Sequence, residues 1–391
     1  MLALRGSALL APRPDPAPPP GRGGLVLAGE VGRASGLGEA ARVVRQALGA
    51  LGLPVFSFDV GVPWERAPVV AGDGGVPAAA PLLLHINAPQ VPWALRRLPA
   101  GLVHGRRIVG YWAWELPVVP EEGWRTGLRF VHEIWAMSSF CADALRRFAP
   151  ARTVRVVPPP LALAPPAPAP LDRAAFGLPA DRLVVLVSFN LASSFERKNP
   201  LAAVAAFRAA FADRADALLL LKIGNPHHFP EDFARLQTAI AGAPNIRIET
   251  RTMPAADSQA LTACADIVLS LHRSEGFGLV PAEAMLLGRA VVATGWSGNM
   301  DFMDEASAAL VAPRLVPARD PRGVFRAPGA VWADPDPVEA AAHLRRLAGD
   351  RAARAELGEH GRAMAQRRLG AAPLVEALTG LGLALPAEST G

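Results

Sequence analysis

A proline-rich stretch, Pro158 to Pro170 (PPPLALAPPAPAP), divides the chain into two blocks in which short apolar runs alternate with helical patterns. In the first block Leu25–Ala28, Val55–Phe58, Leu82–Ile86, Ile108–Tyr111, Ile134–Met137 and Val154–Val157 read as buried strands. Between them lie helical patterns such as Glu39–Leu51 and Phe140–Phe148, the latter with Ser138 or Ser139 as N-cap. The second block gives strands Leu183–Phe189, Ala217–Ile223, Ile246–Glu249, Ile267–Leu271 and Val291–Thr294, with helices Pro200–Phe211 and Phe233–Ala241. Strands alternating with helices predict parallel, doubly wound sheets, and 391 residues exceed one ordinary core. The expectation is an α/β protein of two Rossmann-like domains facing a cleft, ligands binding at the C-terminal ends of the strands. Residues 1–22 are expected to be disordered, 23–160 to form the first domain and 161–172 the linker. Residues 173–365 form the second domain, and 366–391 a C-terminal helix and tail, with the C-terminal helices crossing back to the first domain.

Charge narrows the partners. Forty basic against 35 acidic residues give a net charge of +5, modest and dispersed, which excludes a nucleic-acid footprint and suits an anionic small molecule or membrane surface. Only two of the forty, Lys198 and Lys222, are lysines, so their positions carry weight. Cys141 and Cys264 are expected to be buried free thiols. The N-terminus holds an apolar run of only four residues, Ala8 to Ala11, and no run of 18 apolar residues occurs. These observations predict a cytoplasmic protein with neither signal peptide nor membrane span.

The most informative segment runs from His272 to Asn299, HRSEGFGLVPAEAMLLGRAVVATGWSGN. It follows a strand, places Pro281 where a helix should open and ends that helix at Gly288. Gly276 and Gly278 allow close backbone approach, and a helix N-terminus offers unpaired N–H groups to a phosphate. Glu275 on the loop and Glu283 in the expected first turn lie eight residues apart and can face one ligand, one holding sugar hydroxyls and the other a ribose diol. The plainer alternative for Glu283 is complementing the helix dipole. In FERKNP, Arg197 and Lys198 follow a strand just ahead of a helix, where two fixed cations stabilise a departing diphosphate without a metal. Lys222 ends a neighbouring strand on the same side.

Glu275-x7-Glu283 within SEGFGLVPAEAM resembles the signature of glycosyltransferase family 4, a retaining family with the two-domain GT-B fold. LVVLVSFNLASSFERKNPLAAVAAFRAAF is similar to that family's first strand, phosphate loop and helix in the C-terminal domain. GYWAWELP and EIWAMSSFCADAL are similar to a bacterial subgroup. The resemblance implies that Glu275 contacts the transferred sugar, Glu283 the ribose, and the backbone of Phe277, Gly278 and Leu279 the diphosphate, with Asn190 and Lys222 on the donor side. It implies no cofactor and no metal. The partners are then a nucleotide sugar, with GDP-mannose as the weak preference, and a saccharide or lipid-linked acceptor met by peripheral contact with the inner face of a membrane.

Other signals compete. Gly36, Gly38 and Ala41 imitate a dinucleotide fingerprint, with Asp59 ending the next strand, which would suit an NAD-dependent oxidoreductase. Seven residues separate Ala28 from Gly36, however, and the fingerprint needs a tight turn directly after its strand. In the family such a loop faces the donor phosphates or the acceptor. Trp112 and Glu115 in GYWAWELP suit an acceptor sugar or, equally, an aromatic plug; family members place a histidine at the end of this strand, where Tyr111 or Trp112 stands. His85 and Asn87 are weaker candidates. Asp334-Pro335-Asp336 imitates a metal-binding motif but precedes a helix it can cap, and His227-His228 lacks a third ligand. A nucleotide-sugar epimerase or hydrolase is the other enzyme class with such a cleft. Alanine at Glu275 is expected to lower turnover sharply while leaving nucleotide affinity nearly intact.

Overall fold

The structure, a computed structural model, describes residues 7–62 and 75–386. It divides into two units, residues 1–164 with 369–391, and residues 165–368.

In unit 1 six parallel strands run in the order β2–β1–β3–β4–β5–β6. They are β1 (Leu25–Gly29), β2 (Val55–Asp59), β3 (Leu82–His85), β4 (Ile108–Trp112), β5 (Glu133–Ala136) and β6 (Thr153–Val156). Helices α1 (Gly36–Ala50), α2 (Val91–Arg97), α3 (Trp124–Leu128) and α4 (Ser139–Phe148) connect them. Strands β1 and β3 are buried at every residue, as uninterrupted apolar runs in a covered parallel sheet must be. Ser138 caps α4 by accepting the Cys141 N–H at 3.1 Å. Tyr111, the only tyrosine, donates from its buried hydroxyl to the Val157 carbonyl at 2.5 Å, tying β4 to the end of β6.

The N-terminal segment departs from the expected disorder. Residues 1–6 lie outside the described residues, but Ser7–Leu10 are helical. The Asp15 carboxylate accepts the Gly105 N–H at 2.6 Å, and the Asp15 carbonyl lies 2.8 Å from Nε2 of His132. Arg13 sits over the Phe130 ring at 4.7 Å, and Gly21 donates to the Leu381 carbonyl at 2.7 Å. The prolines make the segment stiff, and these point contacts then suffice to hold it. Of the helices near the C-terminus only Ala372–Gly380 falls in unit 1.

Unit 2 holds the parallel order β12–β11–β10–β7–β8–β9, made by β7 (Leu183–Asn190), β8 (Ala217–Gly224), β9 (Ile246–Glu249), β10 (Ile267–Ser270), β11 (Ala290–Thr294) and β12 (Ala309–Val311). Its helices are α5 (Phe195–Lys198), α6 (Pro200–Phe211), α7 (Pro230–Ile240), α8 (Ala255–Ala263), α9 (Leu279–Leu286), α10 (Pro337–Gly349) and α11 (Arg351–Arg368). An antiparallel hairpin, β13 (Pro313–Pro317) with β14 (Val331–Pro335), is added to this frame. The chain builds outward from β7 to one side and from β10 to the other, so the order reverses between them. β7 pairs with β8 over eight residues, whereas only Val185 and Leu186 are in register with β10. The two strands therefore part toward their C-terminal ends, which opens a crevice at the switch point of the sheet. Among the described residues, no helix is long and apolar enough to cross a membrane.

Removing the Asp15 carboxylate should release the N-terminal segment. Asp15→Ala is expected to speed trypsin cleavage after Arg22 while circular dichroism stays unchanged; cleavage at the wild-type rate would count against the anchor.

Candidate active site

The crevice between β7 and β10 is shaped by residues with unusual backbone angles. Asn190 ends β7 and accepts the Ala192 N–H at 2.9 Å and an amide N–H of Asn225 at 3.1 Å, tying its loop to the end of β8. Ser194 takes a φ of 75°, and its Oγ accepts the Arg197 N–H at 3.3 Å, which starts α5. Asn199, at φ 51°, then breaks α5 from α6; asparagine tolerates this left-handed turn better than most residues. Its amide donates to the Leu271 carbonyl just past β10 at 3.0 Å, and Arg273 N–H donates to the Arg197 carbonyl at 2.8 Å. The loops after β7 and β10 are thus stitched together across the crevice.

Three charges meet there. Arg197 donates from Nη1 to Oε2 of Glu275 at 3.0 Å and to the Ser274 carbonyl at 2.8 Å, and from Nη2 to the Ser193 carbonyl at 2.9 Å. Lys198 Nζ lies 2.5 Å from Oε1 of Glu275. The side chains are 4% exposed for Arg197, 20% for Lys198 and 11% for Glu275. Burial pushes the Glu275 carboxyl up, but the charges of Lys198, Arg197 and His272 outweigh it and hold it down at about 2. A depressed carboxyl stabilises the fold above its unfolded pKa and loses that contribution only as pH falls toward about 2. Glu275 is therefore a carboxylate at neutral pH that accepts hydrogen bonds and has no proton to give.

The backbone of Glu275 is fixed as firmly as its side chain. Its N–H donates to Ser297 Oγ at 2.8 Å, and its carbonyl accepts the Gly298 N–H at 3.0 Å. Ser297 holds φ 83° and ψ −151°, a region that is otherwise glycine territory. At Gly298 a Cβ would sit 2.3 Å from the Gly276 carbonyl oxygen, so only glycine allows this approach. Behind it, buried His272 meets Ser270 Oγ at 2.9 Å and Asn299 Oδ1 at 3.1 Å; burial lowers its pKa.

Helix α9 opens at Leu279 with Gly278 (φ 99°) as its N-cap, so no side chain of the cap residue satisfies its first N–H groups. This corrects the reading that placed Pro281 at the first helical position. Pro281 is third, which costs no hydrogen bond because the first four helical N–H groups lack partners anyway. Glu283 is consequently fifth, half-buried in the second turn rather than the first. Gly276, Phe277 and Gly278 line the turn into α9, with Phe277 packed on Phe302 at 5.0 Å. Lys222 is drawn elsewhere: its Nζ donates to the Arg251 carbonyl at 2.7 Å, toward β9.

In unit 1, Gly36 and Gly38 open α1, but Ser35 Oγ already accepts the Gly38 N–H at 3.0 Å. A Cβ on Gly38 would meet the Arg33 carbonyl oxygen at 2.3 Å, so this glycine serves the loop's own packing. Trp112 is fully buried and stands edge-on to Trp124 with centroids 5.8 Å apart. The plug reading holds, and Trp112 presents no face to a sugar. Glu115 is half-buried on the following loop. His85 is wholly buried against Tyr111 at 4.6 Å. Asp336 caps α10 through the Val338 N–H at 2.8 Å, while Asp334 pairs with Arg273 at 3.3 Å. Cys141 is buried and Cys264 only half-buried; neither forms a disulfide.

The sequence reading missed the β13–β14 hairpin, whose loop backs the turn that carries Arg197 and Lys198. Asp320 lies 3.3 Å from Ser194 Oγ, Arg322 donates to the Leu191 carbonyl at 2.5 Å, and the Phe325 ring lies 5.4 Å from the Arg197 guanidinium. Its one cue, the turn-forming Asp320-Pro321-Arg322-Gly323, says loop but not where the loop lies. A cavity of about 490 Å3 lined by Arg182, Arg351 and Asp266 lies at the opposite, N-terminal ends of the strands, away from this chemistry.

Residues 182–334, which contain this crevice, match the family model described as "Glycosyl transferases group 1", so this stretch is a group 1 glycosyltransferase domain. No curated protein matches the chain in sequence. Among solved structures, sucrose-phosphate synthase from Thermosynechococcus elongatus is 19% identical with a TM-score of 0.65, covering 92% of this chain and 98% of that one. A glycosyltransferase from Rickettsia africae gives 13% and 0.62 over 92% and 99%. Anabaena HepE, solved with UDP and glucose, gives 16% and 0.60 over 92% and 100%. At these identities the likeness establishes the fold, a pair of Rossmann-like units of the GT-B type.

Strain and bonding at Ser297 can be separated by substitution. Ser297→Ala leaves the buried Glu275 N–H unpaired and is expected to cost about 1–3 kcal/mol. Ser297→Gly loses the same bond but relieves the backbone, a strain of about 1–3 kcal/mol. Denaturant unfolding should therefore rank glycine above alanine; the reverse order would show that the backbone is unstrained.

Proposed function

We propose that the protein is a retaining glycosyltransferase that moves a sugar from a nucleoside-diphosphate sugar to a saccharide or lipid-linked acceptor. The observation that carries this reading is the Arg197–Lys198–Glu275 cluster at the switch point of a group 1 glycosyltransferase domain, beside the uncapped N-terminus of α9. In the reaction the bond between the anomeric carbon and the diphosphate oxygen breaks, its electron pair staying on the diphosphate. The acceptor hydroxyl oxygen bonds to that carbon, and its proton passes to the departing diphosphate. Arg197, Lys198 and the N–H groups at Gly278 and Leu279 meet the growing negative charge, where fixed donors in a water-poor site act most strongly. Glu275, held as a carboxylate, accepts hydrogen bonds from the sugar hydroxyls and orients the ring; Glu283 holds the ribose.

Retention and a GDP-mannose donor follow the family resemblance. The UDP and glucose in the HepE structure support a nucleoside diphosphate as the leaving group in this fold. Two cations beside a helix N-terminus supply the charge a metal would otherwise bring, so the reaction is proposed to run without one, and with no cofactor. The site of action is proposed to be the cytoplasm, with peripheral contact at the inner face of a membrane where the acceptor is lipid-linked.

Calorimetric titration with UDP, GDP, ADP and dTDP, in EDTA and then in magnesium, tests the reading and names the base. One diphosphate is expected to bind at micromolar concentration independently of metal, and Lys198→Ala to weaken it at least about tenfold. Binding of NAD in place of every diphosphate would transfer the protein to the oxidoreductases. With the matching nucleotide sugar, Glu275→Ala should lower turnover about a hundredfold or more; turnover equal to wild type would remove Glu275 from the chemistry.

A further inference from the structure

We infer that Glu275 is the resident counter-anion of the diphosphate site, and that it makes the protein hold an intact sugar nucleotide in preference to the nucleoside diphosphate left after transfer. The inference rests on the function proposed above and deepens it. Both oxygens of Glu275 are engaged, Oε2 by Arg197 at 3.0 Å and Oε1 by Lys198 at 2.5 Å. The two cations that a diphosphate would use are therefore already turned toward one carboxylate.

The two cations differ in freedom. Arg197 is held by the Ser193 and Ser274 carbonyls as well as by Glu275, and is almost wholly buried. Lys198 is a flexible stem one-fifth exposed, so it is the cation able to turn toward an arriving phosphate. When it does, a buried carboxylate keeps one cation of two and stands near a second anion, which is costly in a dry site. A sugar nucleotide offsets that cost, because hydroxyls of its sugar donate to the vacated Oε1. A bare diphosphate brings no hydroxyl to that position. Once the sugar has gone, Glu275 is short of a partner until Lys198 returns, and the return loosens the diphosphate.

On this inference removing the charge tightens nucleotide binding, whereas the sequence led to the expectation that alanine at Glu275 leaves nucleotide affinity nearly intact. The test is calorimetric binding of inorganic pyrophosphate, of the nucleoside diphosphate that the wild type binds, and of that nucleotide's glucose derivative. Glu275→Gln, which keeps the shape and removes the charge, is expected to bind pyrophosphate and the nucleoside diphosphate about tenfold more tightly than wild type. The sugar nucleotide should gain less, so its advantage over the diphosphate narrows. Glu275→Asp, one methylene too short to span both cations, should tighten the diphosphate several-fold, and it carries the test if the glutamine protein does not fold. Affinity for the diphosphate unchanged or weakened in these variants overturns the inference while leaving the transferase reading standing. Failure of the wild type and the variants to bind pyrophosphate or any nucleoside diphosphate overturns both.

Discussion

Unit 2 is organised around the parting of β7 and β10. Parallel strands that stayed in register to their ends would leave their loops side by side with no room between them. Here register lasts for Val185 and Leu186 only, and the loops that follow must cross open space. They do so by polar bridges, Asn199 to the Leu271 carbonyl and Arg273 to the Arg197 carbonyl, above an apolar layer to which Leu191, Phe195 and Leu271 contribute. Polar bridging is what leaves charged groups in the crevice. Arg197, Lys198 and Glu275 are tolerated at low exposure because each satisfies another, as buried charges must.

The frame around this crevice was open to reading because the covered strands are long uninterrupted apolar runs. Eleven strands fell close to their observed limits, the half-buried edge strands β2, β6 and β9 among them, and helix Pro200–Phe211 matched residue for residue. What escaped was the short β12 and the β13–β14 hairpin, in which PRLVP is almost wholly exposed and carries two prolines. Such a segment lacks both the apolar run and the alternation by which a strand declares itself. The N-terminal segment was misread for a related reason. Its order comes from Asp15 reaching a glycine turn ninety positions away, and no local pattern encodes a contact of that range.

The chemistry was legible in residue type more than in geometry. Arg197, Lys198 and Glu275 were singled out by position after strands, and the structure brings them within hydrogen-bond reach. Trp112 stayed open between sugar platform and aromatic plug because an aromatic at a strand end looks the same whether it faces outward or folds back. In the structure its indole covers Gly110, where a Cβ would lie 2.5 Å from Nε1. Pro281 misplaced the start of α9 by two residues. Proline is as well tolerated at the third helical position as at the first, and the left-handed Gly278 is the better marker of where the helix turns in.

The β13–β14 hairpin also imposes an order of assembly. Its loop residues Asp320 and Arg322 bond to Ser194 and Leu191, 126 and 131 positions earlier in the chain. On a ribosome, β7 and α6 are complete long before Phe325 exists. The turn carrying Arg197 and Lys198 must therefore pass through synthesis without the loop that backs it, two cations awaiting both their carboxylate and their support. The turn that carries both cations therefore cannot take its final form until the loop 131 positions further on has been made, although the strand that leads into it is the first that the unit makes.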